Sequence, residues 1–504
     1  MSSVSADHGK AAVQLRVNEP SRHSGVKTFL YLLALTGLAL TIHGYHLGVE
    51  DSSIYLPAIK QDLDPTLYPF NAEFFLVQTR PALYDEIIAW SVKLTHLPLD
   101  YAIFLWHVLT VFGFLWATLR LARICFEDTA AQWSAVMMML ALLTMPVAGT
   151  KLYIFQQYLH PRSISAVTII LAAVAVLQSR PWRVLFWMVL TFAVHPLMAV
   201  FGGVWLVFLA LPPWKKFSYD SALLAFPFAK YFEAPSPAWR EAMNTRDRYF
   251  LLSNWTWYMW LGAVAPLVIL AGFSRLAERA GYPVAAKLCR RTIFFGLLFL
   301  LVALLIEVQI LIRFAPTQPM RALHLVYYVM LLMAGGLLGR YVLRNRIWRW
   351  VVLYLPLCVG LYIPQRALFP QSSHIEWPWA KPRNGWVQAY DWVRRNTPKE
   401  AIFAIAPHAL DEAGPDFHGF RGLAERSMLA DYTKDAGLSV FSVELANTWQ
   451  QQVHSLDGWE KFGAADFHRL REKYDVTWVM LAPNHPAELD CPYHNDAVRV
   501  CRVE

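Results

Sequence analysis

The sequence carries little charge for its length. Only 16% of its 504 residues are charged, whereas 56% are hydrophobic, and an ordinary soluble protein has about 25% charged residues. Charge is sparse before residue 370 and returns to an ordinary density after it. A soluble domain could not bury this much apolar surface, so we expect a membrane-embedded body followed by a soluble domain.

Motifs that define many soluble enzymes are also missing. The sequence has no CxxC pair or Cys/His spacing for zinc, no glycine-rich nucleotide fingerprint, no nucleophile elbow and no internal repeat. Its formal net charge is +8, but the Lys and Arg residues cluster in short loops between apolar runs. That distribution is typical of membrane topology, so we expect no nucleic-acid partner.

Apolar runs long enough to cross roughly 30 Å of hydrocarbon begin at several places along the chain. They start near Thr28, Ala102, Ala131, Ser163, Val184, Trp255, Ile293, Arg321 and Ile347. The pattern predicts an α-helical polytopic membrane protein with about nine transmembrane helices. The run from Val184 to Leu211 contains His195-Pro196, so it is either one bent span or a re-entrant helix.

The Lys and Arg clusters predict which loops share a side of the bilayer. With nine spans, the clusters all fall on the side of the basic N-terminus, and they lie at 120–123, 180–183, 275–291 and 340–349. The positive-inside rule makes that side cytoplasmic. The expected organisation of this inner or plasma membrane protein is a cytoplasmic tail at 1–27, a transmembrane domain at 28–368 with outer loops at 47–101 and 213–254, and an extracytoplasmic (periplasmic) domain at 369–504.

The C-terminal domain has the pattern of a small α/β unit. Helical spacing at 386–398 and 464–474 alternates with strand-like runs at 401–407 and 476–483, which predicts a sheet with some parallel pairing. In an oxidising compartment Cys491 and Cys501 could close a small disulfide loop.

Paired acids follow the first span. Glu50 and Asp51 lie just beyond that span, next to His46. Such acids could hold a divalent cation such as Mg or Mn, or one could act as a base toward an incoming hydroxyl. The alternative is that they are solvated acids in a loop. An amphipathic helix at about 82–96 is expected to lie on the membrane surface in the same loop.

Two outer loops carry cationic groups suited to an anion. His160 and Arg162 precede a helix that begins at Ser163, where a guanidinium and free backbone N–H groups can point at one volume. A second predicted outer loop also carries cationic side chains, those of Arg313 and Arg321. Together they predict a phosphate-bearing ligand on that face, although an interfacial arginine can also contact lipid headgroups.

Polar residues within the apolar runs are candidates for lining a substrate cavity. Glu307 and His195 are the main examples, because an ionisable group in hydrocarbon is costly unless it faces a cavity or a partner. His46, beside the acid pair, is a third candidate cavity residue. Glu307 and His195 also have a structural alternative. Glu307 could pair with Arg313, and His195 could serve helix packing.

With these features the sequence resembles the GT-C superfamily of polytopic membrane glycosyltransferases, in a distant bacterial branch. These enzymes take a sugar from a polyprenyl-phosphate carrier. The resemblance rests on the acid pair in GVEDSSIYLP, the surface helix at about 82–96 and the domain after residue 370. It implies Asp51 as general base, with Glu50 less favoured, and Arg162 and Arg321 as phosphate ligands.

The resemblance implies transfer of a sugar to an extracytoplasmic lipid, glycan or protein, with no required cofactor. The lipid bilayer and a polyprenyl-phosphate-linked sugar would be its partners. Two other classes fit the same residues: a transporter or flippase of a lipid-linked or amphipathic substrate, and a noncatalytic membrane scaffold. A transporter often has two similar halves with matching broken helices, and the sequence has one clear break, at His195-Pro196.

Overall fold

The computed structural model describes residues 22–211 and 235–503. Most of the expected tail at 1–27 and much of the expected loop at 213–254 lie outside the described residues. The first part of the chain forms helices α1 (Arg22–His43), α2 (Ser52–Leu63), α3 (Glu73–Thr79), α4 (Tyr84–Thr95), α5 (Leu99–Cys125), α6 (Thr129–Ala141), α7 (Pro161–Leu177), α8 (Pro181–Val194) and α9 (Pro196–Ala210). A short hairpin of β1 (Pro146–Val147) and β2 (Leu152–Tyr153) separates α6 from α7.

The second part completes the apolar body. Its helices are α10 (Pro237–Asn244), α11 (Asp247–Phe250), α12 (Trp257–Arg279), α13 (Pro283–Ile306), α14 (Leu323–Leu338) and α15 (Ile347–Leu368). Short 3₁₀ segments at Gln309–Thr317 and Pro319–Ala322 lead into α14, and a π-turn at Gly339–Leu343 follows it.

Among the described residues, six helical segments are long and apolar enough to cross a membrane. They are Gly25–His43, Leu99–Cys125, Trp257–Arg279, Pro283–Ile306, Ile310–Leu343 and Ile347–Leu368, and α7, α8 and α9 are shorter apolar helices. The chain is therefore a multi-pass membrane protein. One predicted span was too long: the run near Ala131 forms α6 with 13 residues, which cover only about 20 Å at 1.5 Å per residue.

The predicted break at His195-Pro196 separates α8 from α9. The His195 side chain caps α9 by accepting a hydrogen bond from the backbone N–H of Met198 at 3.4 Å. Pro196 occupies the first helical position, where its missing N–H costs nothing. Both helices pack against α7, so the apolar run forms two helices joined at a capped break.

Close packing of α14 against α6 explains a glycine-rich stretch. A Cβ atom added to Gly335 would lie 2.6 Å from the backbone oxygen of Ser134, and one added to Gly339 would lie 2.5 Å from that of Ala130. The Ser134 hydroxyl also donates to the carbonyl of Gly335 at 2.6 Å. Small residues let two helix backbones approach this closely, as is common between membrane helices.

The segment between α1 and α5 contains the amphipathic helix expected from the sequence. Helix α4 buries Tyr84 and Ile88, whereas Leu83, Trp90 and Leu94 remain exposed along one side. Helices α2 and α4 pack together, so this segment is a folded unit. An exposed apolar stripe on such a helix is typical of contact with a bilayer surface.

The C-terminal domain is a mixed five-stranded sheet with helices on it. Its helices are α16 (Gly385–Asn396), α17 (Ala409–Ala413), α18 (Phe420–Ala424), α19 (Lys434–Ser439), α20 (Val443–His454) and α21 (Ala464–Tyr474), and its strands are β3 (Ile402–Ile405), β4 (Ser427–Met428), β5 (Val476–Leu481), β6 (Tyr493–His494) and β7 (Arg499–Arg502). The strand order is β4-β3-β5-β7-β6. Strand β3 pairs in parallel with β4 and β5, and the other pairs are antiparallel. The predicted α/β fold with some parallel pairing is confirmed.

This domain docks directly on the segment between α1 and α5. The backbone N–H of Gly419 donates to the carbonyl of Gly48 at 2.8 Å, and the Tyr68 hydroxyl donates to the carbonyl of Arg421 at 2.7 Å. Gly419 is required here because a Cβ would lie 2.3 Å from the Cβ of Ser53. Side chains from the C-terminal domain therefore reach the residues that follow the first span.

Candidate functional site

A lysine of the C-terminal domain bridges the two acids that follow the first span. The Lys434 Nζ lies 2.8 Å from Glu50 Oε2 and 2.9 Å from Asp51 Oδ1. The Lys434 side chain is 6% exposed, whereas those of Glu50 and Asp51 are 28% and 24% exposed. Glu50 has a φ of 49°, which is uncommon for a residue other than glycine and turns the chain so that both carboxylates face the lysine.

His160 and Arg162 approach the same aspartate from the start of α7. His160 caps this helix, and its Nδ1 accepts from the backbone N–H of Arg162 at 2.9 Å. The other ring nitrogen, Nε2, therefore carries the proton and lies 3.4 Å from Asp51 Oδ2. Arg162 Nη2 lies 3.4 Å from the same oxygen, so both predicted groups contact Asp51.

Opposing influences set the charge of the acids. Burial raises the pKa of Asp51, but Lys434, His160 and Arg162 outweigh it and hold this pKa well below its usual range. Burial likewise raises the pKa of Glu50, and the charges of Lys434 and Lys151 bring it below its ordinary value. Both acids are therefore ionised at neutral pH.

The pKa values of Lys434 and His160 are shifted in opposite directions. Burial lowers the pKa of Lys434, but Asp51 and Glu50 raise it above its ordinary value, so the lysine stays charged. Burial and the nearby Arg162 lower the pKa of His160 to about 3, despite its contact with Asp51. His160 is therefore a neutral donor at physiological pH.

Three arginines around the acids have a buried nitrogen without a hydrogen-bond partner among the described residues. These atoms are Nη1 of Arg162, Nε of Arg321 and Nη2 of Arg246. Arg246 uses its Nε to donate to the carbonyl of Thr433 at 2.9 Å, one residue before Lys434. The charge of Arg321 interacts with those of Arg162, Asp51 and Arg246, so the three guanidinium groups belong to one cluster.

This cluster carries more positive than negative charge. Arg162, Arg246, Arg321 and Lys434 face Glu50 and Asp51, and the charge of Lys151 also acts on Glu50. A buried N–H without a partner costs about 1–3 kcal/mol. An anion with several oxygens would satisfy these donors and the excess charge together, which makes the cluster a candidate phosphate site.

The cluster borders a small cavity on the side of the C-terminal domain. A cavity of about 30 Å³ is lined by Ser53, Lys434 and Asp435, which is room for about one water molecule. A ligand would therefore reach the acids from the side on which their carboxylates are partly exposed.

Two other predicted cavity residues have separate surroundings. His46 stacks on Phe369 with ring centroids 3.7 Å apart, and its Nδ1 lies 3.6 Å from Glu376. Glu307 follows the last residue of α13 and accepts from the backbone N–H of Ser253 at 3.0 Å. Its expected position inside a span was wrong, because the helix ends one residue before it.

Of the remaining predicted site residues, one lies beside the cluster and the others lie in other parts of the structure. The His195 ring lies 6.4 Å from that of His160, beside the cluster. Arg313 lies in the 3₁₀ segment Gln309–Thr317. Cys491 and Cys501 form a disulfide in the C-terminal domain.

Lys434 would compete with a divalent cation for the two acids. It occupies one oxygen of each carboxylate, and its charge would repel a cation such as Mg or Mn bound beside it. Asp62, Asp85 and Glu86, near the ends of α2 and α4, form a three-acid group with metal-like spacing in the described part of the chain, and it does not include Glu50 or Asp51.

Sequence reasoning missed Lys434, Arg246 and Lys151. Lys434 follows the polar segment 420–432, which resembles an ordinary solvated face. Arg246 lies in a loop that is notable mainly for its aromatic residues. The one sequence feature that could have pointed to Lys434 is its position as a lone lysine between Asp431 and Asp435. That pattern is weak evidence for a site without knowledge of the fold.

The fold and the site together define a multi-pass membrane protein whose C-terminal domain contributes a lysine to a charged cluster at one end of its helices. Residues 384–451 match the family model DUF6798, a domain of unknown function. This range contains Lys434 and covers α16 to most of α20. No curated protein matches the chain.

Proposed function

We propose that this protein is a membrane glycosyltransferase that moves a sugar from a polyprenyl-phosphate donor to an extracytoplasmic acceptor. The observation that carries the proposal is a charged cluster in which an ionised Asp51 contacts Arg162 and lies within charge interaction of Arg321, which in turn interacts with Arg246. Each of the three arginines has an unsatisfied buried N–H. A transferase of this class needs both parts: an acceptor base and a site for the departing phosphate.

The unsatisfied guanidinium nitrogens favour a phosphate over a neutral ligand. A phosphate offers several strong acceptor oxygens, and Arg binds it through paired hydrogen bonds. The cluster lies where α7 begins, and the N-terminus of a helix also favours an anion. A lipid phosphate would therefore lie among Arg162, Arg246 and Arg321.

Phosphate binding would also change the basicity of Asp51. The low pKa of this carboxyl depends on Lys434, His160 and Arg162, and a carboxylate held by several cations is a weak base. A donor phosphate would compete for Lys434 and Arg162. As these cations turn toward the phosphate, the pKa of Asp51 would rise toward its ordinary value. Donor binding would in this way prepare the base.

The proposed reaction follows from these positions. Asp51 takes the proton of the acceptor hydroxyl while that oxygen forms a bond to the anomeric carbon of the donor sugar. The bond between the anomeric carbon and the phosphate oxygen breaks, and its electron pair leaves with the lipid phosphate. The arginines stabilise the added phosphate charge. The reaction requires no nucleotide, because a lipid phosphate is already a competent leaving group.

The sidedness of the site is part of the proposal. The Lys and Arg clusters between the apolar runs favour a cytoplasmic N-terminus. If the C-terminal domain is then extracytoplasmic, Asp51 faces the same compartment, because Lys434 of that domain contacts it.

Substitution of Asp51 by Asn tests the enzyme proposal. The full chain in nanodiscs is supplied with a panel of radiolabelled undecaprenyl-phosphate hexoses and pentoses and with envelope extract as acceptor. We expect the unsubstituted protein to transfer label and Asp51→Asn to lose at least 100-fold of this activity while it still binds undecaprenyl phosphate. Asp62→Asn is the matched control, because Asp62 lies outside the cluster in the same segment.

Other results would favour different functions. Normal transfer by Asp51→Asn would refute the role of this residue. Binding of undecaprenyl phosphate by the unsubstituted protein with no transfer from any donor would favour transport of a lipid-linked molecule. Absence of both binding and transfer would leave a scaffold as the better explanation.

A further inference from the structure

A second, larger cavity is lined in part by residues that shortly precede the acid pair. It encloses about 510 Å³ between the C-terminal domain and the start of α5, within the range of about 300–1,000 Å³ that small-molecule sites occupy. Tyr45 and Leu47 form part of its wall, only a few residues before Asp51. We call this cavity the Trp377 groove.

Two tryptophans give the groove a flat apolar surface. Trp377 and Trp379 stack with ring centroids 4.9 Å apart and an interplanar angle of 21°. Trp377 also packs against Phe104 of α5, which fixes the pair, and Trp379 remains 63% exposed. An exposed indole face supported from behind is suited to the C–H face of a sugar ring, because both surfaces are flat and apolar.

The groove also contains cations that have no ion-pair partner among the described residues. Lys381 and Arg383 are exposed in its wall. By contrast, Lys60 is paired with Glu425 and Arg395 with Asp391. The two unpaired cations are available for a carboxylate or phosphate on a ligand.

A buried hydroxyl in the wall lacks a partner. Tyr45 is 1% exposed, and its Oη has no hydrogen-bond partner in the described chain. Buried hydroxyl groups are normally satisfied. Tyr45 lines the groove, but its Oη is closed to solvent, so a ligand hydroxyl would supply the missing bond after a small shift of the groove wall.

Acidic acceptors line the same space. Asp100, Glu376 and Asp391 contribute to the wall. Acceptors of this kind suit a ligand with many hydroxyl donors, which a saccharide carries around each ring and most phospholipid headgroups lack. The mixture of donors, acceptors and a stacking face therefore favours a saccharide.

We propose that the Trp377 groove binds an anionic saccharide, with one sugar ring on Trp379, its acidic group at Lys381 and Arg383, and a hydroxyl at Tyr45. The assignment concerns binding and is independent of sugar transfer. The same chemistry could belong to a free glycan or to the head of a lipid-linked one.

The test measures binding by calorimetry with the full chain in phosphatidylcholine nanodiscs. The probes are trigalacturonate, which is anionic, and maltotriose, which is neutral. We expect trigalacturonate to bind at least tenfold more tightly than maltotriose. Trp379→Ala and Arg383→Ala should each weaken it about tenfold, and Tyr45→Phe about fivefold. Trp182→Ala, which removes an exposed tryptophan of α8, should have no effect.

The two possible sources of the saccharide can be separated with the same protein. Trigalacturonate binding that is unaffected by undecaprenyl phosphate indicates a free glycan, and binding that is strengthened by it indicates a lipid-linked head. Binding should persist in Asp51→Asn, so loss of transfer in that variant leaves this inference intact.

Three results would overturn the inference. The first is absence of trigalacturonate binding at millimolar concentration. The second is equal affinity for maltotriose, and the third is unchanged affinity in both Trp379→Ala and Arg383→Ala. If phosphatidylglycerol in the nanodisc occupies the groove and neither saccharide binds, the groove is a lipid-headgroup site and the proposal is wrong.

Discussion

The ammonium of Lys434 lies 2.9 Å from a carboxylate oxygen of Asp51, although 383 positions separate the two residues in the chain. The contact joins the C-terminal domain to the segment after the first apolar helix. It also keeps two partly exposed acids ionised in a cluster with excess positive charge. The domain is therefore a structural component of the candidate site.

Replacement of Lys434 by Met should destabilise the docked domain. Glu50 and Asp51 would lose their shared cation, and a hydrogen bond to a charged group contributes about 1.5–3 kcal/mol. We expect a lower midpoint of thermal unfolding and a pKa of Asp51 closer to its ordinary value. Lys461→Met, at an exposed position, is the control. Equal midpoints for the two variants would show that the bridge adds no stability.

Replacement of Arg246 by Gln should weaken phosphate binding. Its Nη2 is one of the unsatisfied buried donors, and loss of one charged contact to phosphate should raise the Kd for undecaprenyl phosphate about tenfold. Native mass spectrometry of the full chain measures this change. Arg240→Gln removes an exposed arginine of α10 and should leave the Kd unchanged. An unaltered Kd in Arg246→Gln would exclude Arg246 from the phosphate site.

Asp431 should make stability fall with rising pH. Burial and then the charge of Asp435 raise the pKa of Asp431 to about 7, above the value of about 3.9 expected in the unfolded chain. The folded state thus retains a proton that the unfolded state has lost, so its stability decreases from about pH 4 to about pH 7.

Asp431→Asn should remove this decrease. Asn retains the oxygen that accepts from the backbone N–H of Thr433, and it has no proton to lose. Thermal midpoints measured from pH 5 to pH 8 should have a smaller slope in Asp431→Asn than in the control Asp457→Asn, which alters an exposed acid. Identical slopes would refute this origin of the pH dependence.

Gly335→Ala should disturb the helix packing. The new methyl group would lie 2.6 Å from the backbone oxygen of Ser134, and overpacking of this kind costs about 1–3 kcal/mol. Gly360→Ala is a matched control in α15, because nothing lies within 4 Å of its added Cβ. We expect a lower unfolding midpoint for Gly335→Ala alone. Equal midpoints would show that the interface can relax around a methyl group.

The disulfide offers a test of sidedness. Reduction of Cys491–Cys501 in spheroplasts by a membrane-impermeant phosphine should allow labelling by an impermeant maleimide if the C-terminal domain is extracytoplasmic. The variant Cys491→Ser/Cys501→Ser should show no such labelling. Labelling that requires membrane lysis would place the domain in the cytoplasm and reverse the expected topology.

Local sequence determined the elements that form this protein. Apolar runs of sufficient length produce membrane helices wherever they occur, because hydrocarbon excludes unsatisfied backbone groups. The same local logic predicted the helix at 464–474, which the structure has at Ala464–Tyr474, and the amphipathic α4. The same reasoning overestimated the length of α6, because hydrophobicity alone does not show where a buried helix ends.

Residue chemistry determined part of the site. Residue type and loop position singled out Asp51 and Arg162 separately, and only the resemblance to the GT-C superfamily assigned them to one ligand. They lie 3.4 Å apart. Only the tertiary structure decided that Lys434 neutralises the acids, that Arg246 joins them, and that Trp377 and Trp379 border a groove. Such contacts depend on how the C-terminal domain docks, and sequence periodicity carries no information about pairs separated by hundreds of residues.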